Sequence, residues 1–126
     1  MDPKIWGAAV WRVIDAAADP KRWSNTENQH LLPLDLFTAI CNSLPCEECR
    51  TCFSSFISTN TSSFTRRAAF TGNTLIAMNT LRQRIYEKND SEPSNKDHPQ
   101  LYQQGLAFLD THGTVEWFNI KKKFNF

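Results

Sequence analysis

The chain has 126 residues, of which 40% are hydrophobic and 21% charged, and a formal net charge of +1 at pH 7. That length makes one domain with enough apolar material for a core that needs no covalent staples. Near-neutral charge implies no nucleic-acid partner, and the basic run Lys121-Lys122-Lys123 is short enough to be a solvated face.

Asp2-Pro3 caps a first helix in which Ile5, Trp6, Ala9, Val10, Val13, Ile14 and Ala17 recur at helical spacing, and which ends near Asp19-Pro20. Arg12 and Asp15 interrupt its apolar stretch and no basic start precedes it, so it reads as neither signal peptide nor transmembrane span, and the mature chain is expected to begin at Met1. A polar loop with Ser24, Asn25 and Asn28 follows. Pro33 opens a second helix with Leu34, Phe37, Ile40, Cys41 and Leu44 on one side, stopped by Pro45. The third helix runs from Cys46 through Phe53, Phe56 and Ile57, and the cluster from Ser58 to Ser63 breaks it. The fourth and longest is expected over Phe64 to Lys88, with Phe70, Leu75, Met78, Leu81 and Ile85 at inward spacing and Gly72 weakening its early part. Asn89 to Pro99 carries no large apolar residue and reads as a polar linker. A short fifth helix spans about Gln100 to Thr111 with Gly105 as a weak point inside it, and Gly113 ends it. No strand-like alternation competes outside a few residues of the tail, so the chain reads as a small all-α helical bundle.

Chemistry concentrates in Leu44-Pro45-Cys46-Glu47-Glu48-Cys49-Arg50. Proline suits the first turn of a helix, so Cys46 and Cys49 open the third one, where the positive end of the helix dipole favours thiolate over thiol. Residues three apart share a helix face, which allows the two sulfurs to bridge and reopen. All four cysteines of the chain lie close together, as Cys41, Cys46, Cys49 and Cys52. A zinc site would need ligand pairs separated by a loop, and His30, His98 and His112 show no partner spacing. The run from Cys41 to Cys49 matches the start of a plant-type ferredoxin loop, whose distant fourth cysteine is absent. Packing as small buried hydrophobes suits Cys41 and Cys52 better than the Cys46 and Cys49 pair. In a reducing compartment such a pair is catalytic or metal-binding rather than structural. A dithiol that passes electrons to oxygen needs a cofactor, flavin or metal.

Trp6-Gly7-Ala8-Ala9-Val10-Trp11, followed about thirty-five residues later by Leu44-Pro45-Cys46-Glu47-Glu48-Cys49-Arg50, resembles the Erv/ALR family of FAD-linked sulfhydryl oxidases. The opening Met1-Asp2-Pro3-Lys4-Ile5-Trp6-Gly7 looks most like the small forms encoded by poxviruses and other large DNA viruses. Trp11 stands at the family's tryptophan, with Asp15 where a histidine follows it. Met78-Asn79-Thr80-Leu81-Arg82 falls on the family's His-Asn-x-x-Asn, retaining only Asn79.

The resemblance covers about residues 2 to 88. It implies a four-helix bundle that holds FAD, with a short fifth helix and a C-terminal tail: a core at 2–88, a linker at 89–99, and the extra helix and tail at 100–126. It implies a homodimer, with Gly7, Trp11, Asp15, Met78, Asn79 and Arg82 lining the flavin. Arg82 would offer its guanidinium to the pyrophosphate. Cys49 would face the flavin ring and Cys46 would exchange with substrate. Electrons would pass from a substrate dithiol through Cys46 and Cys49 to flavin and then O2, giving hydrogen peroxide. The tail has no cysteine, so a thiol-containing protein, substrate or relay, must reach Cys46 directly. The viral relatives suggest a cytoplasmic setting, host cytoplasm or virion. Trp117, Phe118 and the segment from Phe124 to Phe126 would dock on a surface or cap the bundle. A helical interaction module with a degenerate flavin site and a cysteine-cluster metal-binding protein are the competing readings.

Overall fold

A computed structural model of the chain describes residues 3–23, 32–89 and 100–124. The Asp2 cap, the polar loop with Ser24, Asn25 and Asn28, His30, His98, nearly all of the polar linker, and Asn125 and Phe126 lie outside the described residues. The elements in chain order are α1 (Pro3–Ala18), α2 (Pro20–Trp23), α3 (Pro33–Asn42), α4 (Glu47–Thr59), a 3-10 turn (Thr61–Phe64), α5 (Arg66–Thr71), α6 (Asn73–Asn89), α7 (Leu101–His112) and α8 (Val115–Phe124). Among the described residues there is no strand, and the fold is an all-α helical bundle.

Proline opens α1, α2 and α3, at the position where its missing N–H would have had no helical acceptor in any case. The short α2 was not anticipated by the reading of 19–31 as helix end and loop. Trp23 buries its ring there and donates its indole N–H to the Ala17 carbonyl at 2.8 Å, folding α2 back on the end of α1.

The expected fourth helix is two helices. Thr65 caps α5 by accepting the Ala68 N–H at 3.1 Å, and Gly72 ends it with φ +90°, its N–H bonded to the Ala68 and Ala69 carbonyls. A left-handed residue cannot continue a right-handed helix, so α6 begins afresh at Asn73.

Residues past the linker pack more deeply than a tail would. Helix α7 runs along α1, and Gly105 lies at their crossing: a Cβ there would sit 2.2 Å from the Ala9 carbonyl oxygen and 2.7 Å from Val13 Cγ2. The glycine expected to weaken α7 is what lets it approach. Helix α8 rests on α3 and carries Trp117, whose side chain is fully buried and donates its indole N–H to Asp110 Oδ1 at 3.1 Å. Lys121 grips the other Asp110 oxygen at 2.6 Å, and the Thr114 N–H donates to Ser43 Oγ at 3.3 Å. Trp117 therefore closes the bundle, while Phe118 remains 41% exposed.

The core runs from Val10, Val13, Ile14 and Ala17 of α1 through Leu36, Phe37 and Ile40 of α3 to Met78 and Leu81 of α6. Among the described residues no helix is long and apolar enough to cross a membrane.

Candidate functional site

Helix α3 stops at Asn42, Ser43 and buried Leu44 turn the chain, and Pro45 bars continuation, so the next residue must start a new helix. That residue is Cys46. It holds the N-cap position with φ −96° and ψ 116°, and its Sγ accepts the backbone N–H of Cys49 at 3.2 Å. Sulfur thus does what a serine or aspartate oxygen ordinarily does at a cap. The extended backbone of Cys46 leaves its side chain free of the helical rotamer and able to swing onto Cys49, one turn into α4.

Both are half-buried thiols packed against the core. Cys49 is pushed up to about 12, first by burial, then by its hydrogen bond to Cys46 and by the charges of Cys46, Cys52 and Glu48. For Cys49 this reverses the lowered thiol pKa expected at a helix mouth, because desolvation and neighbouring negative charge outweigh the helix end. Cys49 keeps its proton at neutral pH and points it at Cys46.

Cys41 is buried, donates its thiol to the Arg50 carbonyl at 3.3 Å, and is raised to about 11, chiefly by burial. That matches a packed thiol. Cys52 is half-buried against the core. Among the described residues no three His, Cys, Asp or Glu side chains converge to hold a metal ion, and His112 instead packs against Phe108 at a 41° tilt with centroids 4.5 Å apart.

The positions tied to flavin by resemblance fall into two groups. Asp15, Asn79 and Arg82 line one open groove of about 480 Å³ together with Asp19 and Leu75. Trp11 lies beneath it: the Arg82 guanidinium sits 4.8 Å over the indole, donates to the Trp11 carbonyl at 3.3 Å and forms an ion pair with Asp15. On its other flank Trp11 meets Phe53 of α4 at 5.4 Å between centroids. Phe53 follows Cys49 by one turn, so this contact ties the groove to the dithiol helix. Gly7, one turn before Trp11, has open space beyond it. Met78 belongs elsewhere: it is fully buried in the core, and its neighbour Asn79 faces outward.

Asp15 and Arg82 explain each other. Where the resemblance places a histidine ring, a carboxylate holds a guanidinium over the tryptophan ring, and a guanidinium is attracted to an aromatic face as a cation. The Nε of Arg82 is buried without a partner, a donor left over for a ligand. That unspent donor and the exposed Asn79 carboxamide are the polar groups this groove has to offer a phosphate or a ring edge, and Gly7 is not among its lining residues.

Phe53, Asp19, Leu75 and Arg50 were not singled out from sequence as site residues. A spacing signal was there for most of them: Gly7, Trp11 and Asp15 are each four apart on α1, with Asp19 four further on just past its end, as Leu75 and Asn79 are on α6 and Cys49 and Phe53 are on α4. No family model, curated protein or solved structure matches the chain.

Proposed function

We propose that the protein is an FAD-dependent thiol oxidase that forms disulfide bonds in partner proteins. The observation that carries this reading is Cys46 at the N-cap of α4, its sulfur held by the Cys49 N–H, with Phe53 and Trp11 linking that helix to the Arg82 groove.

In the oxidised enzyme Cys46 and Cys49 are joined. A substrate thiolate attacks Cys46 Sγ, the Cys46 to Cys49 bond breaks, and Cys49 leaves and takes up a proton. The second substrate thiol then attacks the mixed disulfide and expels Cys46, so the substrate leaves oxidised and the enzyme pair holds two electrons. The high affinity of Cys49 for its proton makes it the member that stays a thiol, and Cys46, on the corner, the one that meets substrate. Gly7, Trp11, Asn79 and Arg82 would hold FAD, which when bound would supply the two-electron acceptor that lets O2 serve as terminal oxidant, with hydrogen peroxide as product. Asp15 acts through Arg82, keeping the guanidinium over Trp11. The partner is a thiol-containing protein, substrate or relay, met by a homodimer in the cytoplasm of a host cell or in a virion.

The test is the absorption spectrum of the purified protein followed by oxygen consumption on adding dithiothreitol. Bound flavin with consumption that Cys49→Ser abolishes is the expected result. A colourless, inert protein would establish the helical interaction module instead, and stoichiometric zinc or iron lost on chelation would establish the metal-binding one.

A further inference from the structure

One residue ties the Cys46 corner from three directions. The Arg50 guanidinium donates through Nη1 to the Leu44 carbonyl at 2.5 Å, the Arg50 N–H donates to the Cys46 carbonyl at 2.9 Å, and the Arg50 carbonyl accepts the Cys41 thiol of α3 at 3.3 Å. The first bond fills a specific need. Leu44 is buried, and Pro45 ends the helical ladder beside it, so its carbonyl requires a partner that no local N–H supplies. A charged donor is among the stronger partners available.

We propose that Arg50 is a positioning residue that sets the redox poise of the Cys46 and Cys49 pair by holding the Leu44 to Cys46 corner in the conformation from which the disulfide closes. The proposal rests on the reading that this pair cycles between dithiol and disulfide. Closure needs Cys46 extended at the N-cap, as observed, and the fraction of time it spends there enters the equilibrium as an effective concentration of one thiol at the other. Freeing Leu44 spreads Cys46 over other conformers, lowers that concentration and makes the disulfide easier to reduce.

Arg50→Met keeps the stem and both backbone ties and removes the guanidinium bond together with its charge, which also acts on Cys41. Arg50→Lys keeps a charge but offers a point donor on a flexible stem rather than a planar fork. The full-length protein is equilibrated in dithiothreitol redox buffers, quenched with acid, alkylated and weighed by intact mass. Arg50→Met is expected to reduce about tenfold more readily, a rise of about 30 mV for a two-electron couple, with Arg50→Lys between it and the parent. An arginine that only stabilised the fold would destabilise dithiol and disulfide forms equally, so a lowered thermal midpoint with an unchanged potential overturns the proposal. If Arg50→Met does not fold, Arg50→Lys decides, and a potential equal to the parent's refutes the role. A parent protein that forms no Cys46 to Cys49 disulfide in oxidising buffer sinks the oxidase reading, and this one with it. Normal disulfide formation with no Arg50 effect sinks only this one.

Discussion

A sulfur that caps a helix is held in place while reduced, and its partner one turn on is held protonated. This division between Cys46 and Cys49 predicts a labelling order. Iodoacetamide at neutral pH should leave Cys49, raised to about 12, and Cys41, raised to about 11, unmodified in the folded, reduced protein, with mass mapping of the alkylated peptides as readout. Cys49 reacting first would contradict the assignment. The same two thiols give a pH dependence of stability. Their folded values lie above the ordinary 9.0, so below that pH folded and unfolded chains bind these protons alike and the contribution is intact. As pH rises toward 11 and 12 the unfolded chain sheds protons that the folded one retains, and stability falls. Urea midpoints of the reduced protein should therefore decline through that range, and less steeply for Cys49→Ser.

Helices are where sequence and structure agree most and where their differences are most instructive. Pro33, Pro45 and the apolar spacing of α1 made those helices legible, because backbone restriction and periodicity are local properties. The break at Gly72 was half-visible: composition shows a weak residue, but only the φ of +90° turns weakness into a stop. Gly105 was misread for the opposite reason, since its value comes from an α1 carbonyl nearly a hundred residues earlier in the chain. Gly105→Ala should cost about 1–3 kcal/mol of overpacking, measured by urea denaturation, and Gly72→Ala about 1–2 kcal/mol for the left-handed backbone. The dithiol was legible because its two members are three residues apart. The Arg82, Asp15 and Trp11 cluster was legible as positions only, since the ion pair that organises it joins α1 to α6.

The whole bundle depends on a segment that sequence alone assigned to a tail. Trp117 is the largest fully buried side chain described, and Asp110 fastens its helix through two separate bonds. Trp117→Ala should cost about 3–5 kcal/mol, and removing residues 114 to 126 should lower the thermal midpoint sharply rather than spare a free-standing core. A truncated protein melting like the parent would show that α8 is dispensable.

Helix α1 presents two tryptophans to two different neighbours. Trp6 stacks on Phe108 of α7 at 5.5 Å, and Trp11 reaches Phe53 of α4 at 5.4 Å, which accounts for a five-residue spacing too wide for one narrow stripe. A helix engaged on two sides has little room to drift, because rotating it to improve one contact spoils the other. In a library of single substitutions α1 should accept the fewest replacements of any segment, and sequences diverging under selection should change around it, keeping Trp6 and Trp11 as fixed points while loops and charges turn over.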